Sequence, residues 1–140
     1  MTWYTAAFLS ATFAALTSIL AKIGIKNVDS NLATAIRTSV ILLFTWGIVF
    51  FQGSQNSIQK ISGNSFVFII LSGIATGLSW LFYFYALKTG EASKVVPIDK
   101  LSLVLTIILA TIILHEKITM QVVIGSVFMT IGAIVIAFAK

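Results

Sequence analysis

The sequence has no cysteine, and only one proline occurs among its 140 residues. Without cysteine the chain can form neither a disulfide bridge nor a thiolate metal site. It also has a single histidine and only four acidic residues, which are scattered along the chain. No ligand set for zinc or for a two-metal centre can be assembled from such residues. We therefore expect neither a metal nor a cofactor.

Charged residues are scarce as well. They make up 9% of the chain, whereas a soluble domain carries about 25%. Hydrophobic residues make up 59%, so most of the surface has to face lipid. The net charge is +5, but the sequence contains no run of Lys and Arg that could form the basic patch of a nucleic-acid-binding protein. The composition indicates a membrane protein and argues against a nucleic-acid partner.

Five long apolar stretches are separated by short polar segments. About 20 residues of helix cross the ~30 Å hydrocarbon core of a bilayer, and each stretch approaches that length. The stretches are continuously apolar, which favours helices over the alternating strands of a barrel. The first lacks the basic start of a signal peptide and precedes further spans, so we expect it to be retained. The predicted helices cover residues 3–21, 32–51, 66–87, 95–114 and 122–139.

These stretches predict an all-α integral membrane protein, a five-transmembrane-helix bundle that forms one domain over residues 1–140. The longest connection, residues 52–65, has the composition of an ordinary polar loop. Basic residues in the connections predict the orientation, because cytoplasmic loops are enriched in Lys and Arg. One side holds Lys22, Lys26, Lys88, Lys94 and Lys140, and the other holds Lys60 and Lys117. We therefore expect a cytoplasmic C-terminus in the cell (inner) membrane.

Polar side chains form lines along three of the predicted helices. Residues three or four apart share one face of a helix, and lipid makes polar faces costly unless they are turned inward. Thr34, Thr38 and Thr45 align in this way near Arg37 on the second helix. The third helix carries Ser72, Thr76, Ser79 and Tyr83, with Trp80 beside them, and the fourth carries Asp99, Ser102 and Thr106. These lines predict that the helices could together enclose a wet cavity.

Three charged residues lie inside the predicted spans, namely Arg37, Asp99 and Lys100. Charges in a bilayer usually face the protein interior or a water-filled path. The alternative for Lys100 and Arg37 is that their long side chains reach the headgroups, with Asp99 capping or pairing locally. We expect Pro97 in the first turn of the fourth helix, where its missing N–H matters least.

The turn between the last two spans carries His115, Glu116 and Lys117. We expect Glu116 and Lys117 to have a structural role there, through helix-end hydrogen bonds and ion pairing. His115 is expected at the membrane interface. A pH-sensing role for His115 lacks a visible partner residue.

The segment from Ala86 to Thr119, ALKTGEASKVVPIDKLSLVLTIILATIILHEKIT, resembles the EamA family of the drug/metabolite transporter superfamily. The resemblance includes the small-residue loop around Gly90, Pro97 in the fourth helix and Glu116 before the fifth. Arg37 fits as well, and so do two glycines of the last helix, Gly125 and Gly132. His115 stands where the family commonly has Gly.

The resemblance implies a transporter built from two five-helix units, which most members carry in tandem. This chain has one unit. Because five is odd, two such units in tandem are inverted relative to each other, so this chain is predicted to be half of an inverted-repeat transporter. The second half would come from another chain, as a homodimer, antiparallel or parallel, or as a related half-unit.

We expect a secondary transporter for a small metabolite or drug-like solute, acting as a dimer by alternating access. Trp80, Tyr83, Ser79, Ser102 and Thr106 are the predicted substrate-binding residues, with Arg37, Asp99 and Lys100 lining a charged cavity or binding a coupling ion. An alternative is a non-transporting membrane subunit that stabilises another membrane protein. An intramembrane enzyme is disfavoured because no nucleophile and base face each other. The substrate, direction and coupling ion are left open.

Overall fold

The computed structural model describes residues 2–139, which contain helices and their connections and no strand. Lys140, which was counted for the predicted orientation, lies outside the described residues. Five helical spans are long and apolar enough to cross a membrane, which confirms the predicted fold class. The helices are α1 (Trp3–Gly24), α2 (Ser30–Phe51), α3 (Gly63–Thr89), α4 (Ala92–Asp99), α5 (Ser102–Ile113) and α6 (Met120–Ala137).

Some helices begin earlier than hydropathy predicts, because their first turn is polar. Asp29 precedes α2 in an extended conformation, and its carboxylate accepts hydrogen bonds from the backbone N–H groups of Asn31 and Leu32, at 2.9 and 3.1 Å. Such a cap satisfies N–H groups that have no partner within the helix. The helix therefore starts at Ser30, two residues before the apolar stretch.

The connection predicted as an ordinary polar loop is shorter and more ordered than expected. A 3₁₀ helix, Ser54–Lys60, occupies its middle and contacts α2, and α3 already begins at Gly63. Gly53 lies between the end of α2 and the 3₁₀ helix. Its φ of 69° is in the left-handed region that glycine adopts readily and that side chains disfavour. The connection predicted as an ordinary polar loop over residues 52–65 thus contains a short helix and the first residues of α3.

The fourth span, Ala92–Ile113, consists of two helices, α4 and α5, where the sequence predicted one helix over residues 95–114. Hydrogen bonds shorten to a three-residue spacing at the division: the N–H of Leu101 donates to Ile98, that of Leu103 to Lys100 and that of Val104 to Leu101. Pro97 also lies inside α4 and not in its first turn. Its position was predicted wrongly because α4 begins at Ala92, where the N–H groups of Lys94 and Val95 bond the carbonyl of Glu91.

Residues 20–88 form one of two compact units. Its buried apolar side chains are Ile25, Phe84 and Leu87, each no more than 2% exposed. Ile25 follows the end of α1, and Phe84 and Leu87 lie near the end of α3. The Lys22 ammonium donates a 2.6 Å hydrogen bond to the Leu87 carbonyl, which is near the end of α3, where carbonyls lack intrahelical partners and favour a positive charge. This bond ties the last turns of α1 and α3 together.

The second unit comprises the described residues of Met1–Ile19 and Thr89–Lys140. Within it, α4 and α5 both contact α6. Ala133 of α6 is buried, with 7% of its surface exposed, which agrees with the use of small residues where membrane helices approach each other.

Most side chains of the spans point away from the chain itself. In the most apolar part of each span at most 6% of the residues are buried, and large apolar residues such as Phe82 and Phe128 are more than 70% exposed. These faces are suited to lipid or to further helices, since lipid tails are as apolar as the side chains.

Candidate functional site

Arg37 lies against aromatic rings within the unit of residues 20–88. Its guanidinium carbon is 4.2 Å from the centre of the Phe84 ring and 5.5 Å from that of Trp80. Arg37 is seven residues into α2, so it lies roughly 10 Å along the helix from Ser30. A guanidinium over an aromatic face is stabilised by about 0.5–2 kcal/mol, more where water is absent. Two aromatic rings of α3 thus stabilise the guanidinium of Arg37 on α2.

One nitrogen of Arg37 is left without a hydrogen-bond acceptor. Nη1 is buried and has no partner among the residues that the structure describes. A buried donor of this kind normally has an acceptor, and a cationic one gains most from an anionic acceptor. The cation–π contacts fix the position of the guanidinium, and this nitrogen is available to an acceptor from outside the chain.

Phe84 was not among the residues singled out from the sequence. It lies four residues after Trp80 on α3, and Tyr83 packs against it edge-on, with 5.4 Å between the ring centres. The sequence around Phe84 does not distinguish it from Phe82, another phenylalanine of the same apolar helix, which is 74% exposed. The spacing of four from Trp80 together with an Arg on the preceding helix is the available signal.

The threonine hydroxyls of the polar lines donate to carbonyls of their own helices. Thr76 donates to the Ser72 carbonyl at 2.9 Å, and Thr106 donates to the Ser102 carbonyl at the same distance. On α2, Thr34 and Thr38 donate to Ser30 and Thr34, each at 2.8 Å. A hydroxyl bonded four residues back carries no unpaired donor, so these threonines do not by themselves require a wet cavity. Ser79, Ser102 and Thr106 are exposed.

Asp99 and Lys100 lie where α4 ends, in the second unit. Asp99 Oδ2 and Lys100 Nζ are 3.6 Å apart, with the side chains 38% and 56% exposed. Eight residues of α4 precede this point, so it lies roughly 12 Å from the start of the span. The local pair that was one of the alternatives for Asp99 is present. Its charges are still accessible, and exposed pairs of this kind are weak.

Two hydroxyl groups lie at the start of α5, next to the junction between α4 and α5. Ser102 is the first residue of α5, and Thr106 follows one turn later. Thr106 also lines a small cavity of about 190 Å³ between α5 and the start of α6, together with Ala110, Glu116, Lys117 and Val122. The cavity brings a carboxylate, an ammonium and a hydroxyl to one wall. The sequence did not associate Thr106 with Glu116, because ten residues separate them.

The turn before α6 is held by its backbone. The N–H of Glu116 donates to the carbonyl of Ala110 at 3.2 Å, which satisfies one of the last carbonyls of α5. His115 has a φ of 55°, the left-handed conformation in which helices commonly end and which favours glycine. Among the described residues, the Glu116 carboxylate is in no ion pair, so the contribution of this segment to the fold comes from its main chain.

Gly125 and Gly132 lie on α6, seven residues apart and thus on one face. A Cβ added to either would meet no atom within 4 Å. Packing within the described chain therefore does not require these glycines.

The predicted site residues fall into two groups. Arg37 and Trp80 are in contact in the unit of residues 20–88, where Tyr83 and Ser79 are their neighbours along α3. Asp99, Lys100, Ser102 and Thr106 surround the division of the fourth span in the other unit. Each group combines charge with hydroxyl groups, and only the first contains aromatic residues.

Comparison with known proteins assigns a family. The model of the EamA-like transporter family matches residues 1–138. A protein from Sinorhizobium sp, described as an uncharacterized transporter in cobO 3′region, is 44% identical over 135 residues, 96% of each chain. An uncharacterized protein of Methanocaldococcus jannaschii is 32% identical over 73 residues, 52% of this chain and 53% of that relative. No solved structure matches the chain significantly.

Proposed function

Because this chain belongs to the EamA-like transporter family, we propose that it is a secondary transporter that moves a small polar or amphipathic solute across the membrane by alternating access. It is a multi-pass membrane protein with five spans, and the relative from Sinorhizobium that covers the whole unit is also called a transporter. The observation that carries the proposal is the divided fourth span, since transporters bind solutes and ions where a spanning helix is interrupted.

The division supplies the groups that such binding needs. Between Asp99 and Ser102 the backbone tightens to hydrogen bonds of three-residue spacing, with Lys100 and Leu101 still in the right-handed helical region. A carboxylate, an ammonium and a hydroxyl lie within these four residues. Irregular backbone at this depth is tolerated where it is buried in protein or lines a water-filled cavity. The charges of Asp99 and Lys100 therefore favour an aqueous path at this point, with Ser102 and Thr106 contacting the solute.

The aromatic group of α3 supplies the other type of contact. Trp80 and Tyr83 offer faces to apolar or cationic parts of a solute, with the Ser79 hydroxyl on the same helix. Arg37 offers Nη1 to an anionic part. We propose that these residues of the unit of residues 20–88 contact the apolar, cationic or anionic parts of the solute.

Two five-helix units would make one transporter. An odd number of spans allows the second unit to be inverted, and the exposed serines of α3 and α5 would then face a partner in place of lipid. A homodimer is the simplest arrangement, and a related half-unit is the other. The proposed orientation has the C-terminus in the cytoplasm and the protein in the cell (inner) membrane, as the lysine distribution favours.

Asp99 is the proposed site of coupling, because it is the carboxylate at the division of the fourth span. Uptake into proteoliposomes under an imposed pH gradient, across amino acids, nucleobases and organic cations, tests the function. We expect accumulation of at least one class, and loss of its dependence on the gradient in Asp99→Asn. The control is Glu91→Gln in matched liposomes, which also removes one carboxylate. Glu91 pairs with Lys94 beside the start of α4.

No accumulation of any class, in protein that retains its fold, would contradict the transport function. Stoichiometric co-purification with an unrelated membrane protein, in place of self-association, would favour a non-transporting subunit. The proposal that the chain is not an enzyme rests on the same family membership.

A further inference from the structure

Three lysines surround an open cavity in the unit of residues 20–88. The cavity has a volume of about 470 Å³ and is lined by Lys22, Ile23, Ile25, Lys26 and Lys88. This volume is in the range of about 300–1,000 Å³ in which proteins bind small ligands. Its lining has one sign of charge, since it contains three ammonium groups and no carboxylate.

The three lysines are held differently. Lys22 donates to the carbonyl of Leu87, which places its ammonium against the end of α3. Lys26 and Lys88 are exposed, and among the described residues neither is in an ion pair. The nearest acid along the chain, Asp29, accepts two backbone hydrogen bonds at the start of α2. Lys26 and Lys88 are therefore available to an anion from outside the chain.

The cavity lies where two spans end. Lys22 is in the last turn of α1, and Lys88 is in the last turn of α3. α1 has 22 residues and extends about 33 Å, close to the thickness of the hydrocarbon core. Its last turn therefore lies at the level of the lipid headgroups. Ile25, which is 2% exposed, and Ile23, which is 70% exposed, add apolar side chains to the lining.

We propose that this cavity binds the phosphate headgroup of an anionic phospholipid, with Lys26 and Lys88 on the phosphate and acyl chains along Ile23. Phosphate is the anion for which lysine clusters next to membrane spans are suited. The apolar lining distinguishes a lipid from a free phosphate, because inorganic phosphate gains nothing from contact with Ile23. The lipid would hold the ends of α1 and α3 at one membrane surface.

Native mass spectrometry of the full chain in detergent tests this proposal, with phosphatidylglycerol and phosphatidylcholine titrated separately. We expect phosphatidylglycerol to bind more tightly. The double variant Lys26→Gln/Lys88→Gln should weaken its binding on the order of 30-fold, and Lys88→Gln alone about fivefold. Lys26→Arg/Lys88→Arg should keep it. Lys60→Gln/Lys117→Gln, which removes equal charge elsewhere, is the matched control.

Equal affinity for the two lipids, or an equal loss in the Lys60→Gln/Lys117→Gln control, would overturn the proposal. A third arm adds inorganic phosphate to the phosphatidylglycerol complex. Retention of the lipid supports a headgroup site. Displacement by an equimolar amount of phosphate would overturn the lipid assignment and identify a free-phosphate site.

Discussion

Arg37 illustrates how a single charge is accommodated within a membrane span. Its guanidinium lies over the faces of Phe84 and Trp80, and among residues 2–139 it is in no ion pair. Arginine is suited to this arrangement, because its planar guanidinium is weakly hydrated and stacks on rings. The Nη1 of Arg37 is buried without an acceptor in the part of the chain that the structure describes, and it is the group that we propose for binding an anionic part of the solute.

Phe84→Leu should destabilise the chain because it keeps an apolar side chain but removes the ring under Arg37. We expect a loss on the order of 1 kcal/mol from the cation–π contact, seen as a lower midpoint of thermal unfolding in detergent. Phe82→Leu is the matched control, since Phe82 is 74% exposed and Phe84 is 1% exposed. Equal midpoints for the two variants would show that the ring does not support the arginine.

His115→Gly should stabilise the chain. The φ of 55° at His115 disfavours a side chain by about 1–2 kcal/mol, and glycine offsets part of this gain through its greater freedom in the unfolded chain. A net gain of about 0.5–1 kcal/mol is expected from thermal unfolding, while His115→Val, which is β-branched, should lower the midpoint. A lower midpoint for His115→Gly would mean that the imidazole makes a contact that outweighs the backbone strain.

At the scale of helices, the fourth span shows what the sequence could and could not establish. Hydropathy identified all five spans, because length and continuous apolarity are sufficient for that. It did not identify the division after Asp99, since a hydropathy argument averages over the whole span and does not register a change in hydrogen-bond spacing within it. Pro97 was the available signal for an irregularity in this span. The start of α4 at Ala92 was missed because it lies among polar residues, which a hydropathy argument assigns to the loop. The Asp29 cap was missed for the same reason.

Pro97→Ala tests the cause of the division. Proline removes one N–H donor and crowds the carbonyl four residues earlier, and alanine would restore a bond to Ser93. We expect α4 and α5 to become more nearly continuous, with slower hydrogen exchange at the amides of Lys100–Val104 and slower transport. Val96→Ala, one residue away, is the control. Unchanged exchange in Pro97→Ala would mean that the division has another cause, such as the Asp99–Lys100 pair.

The candidate site was predictable to a smaller extent than the spans. Periodicity places Ser79, Tyr83, Ser102 and Thr106 on helix faces, but it does not reveal that the threonine hydroxyls bond to carbonyls of their own helices. The partner of a charged residue is also not encoded locally. Phe84 holds Arg37 from another helix, 47 positions away, and nothing in its neighbourhood distinguishes it from a lipid-facing phenylalanine.

At the scale of the whole molecule, we propose that a second five-helix chain completes the transporter. Exposed hydroxyls on α3 and α5 are compatible with a helix from a partner. So are the glycines of α6, at which an added Cβ would meet no atom of the described residues within 4 Å outside the helix's own nearby backbone. Small residues allow membrane helices to approach closely, and Gly125 and Gly132 share one face of α6. We propose that this face of α6 is the contact between two copies of the chain.

Gly132→Ile should therefore weaken self-association, because a branched side chain would separate the backbones of the two helices. We expect at least a fivefold loss in the dimer association constant, equal to about 1 kcal/mol, measured by energy transfer between labelled chains in liposomes. Gly47→Ile is the matched control: Gly47 lies within α2, and an added Cβ there also meets nothing within 4 Å. Equal association of the two variants would place the contact on another face.

The central claim is that the polar groups at the division of the fourth span line a water-filled path. Because the chain has no cysteine, single cysteines can be introduced and labelled with a membrane-impermeant maleimide, which reacts with the thiolate formed in water. Ser102→Cys is compared with Ile112→Cys, an apolar position of the same helix that is 65% exposed, and with Ser54→Cys outside the spans. The account predicts that Ser102→Cys reacts, like Ser54→Cys, while Ile112→Cys does not. Ser102→Cys as unreactive as Ile112→Cys would contradict it.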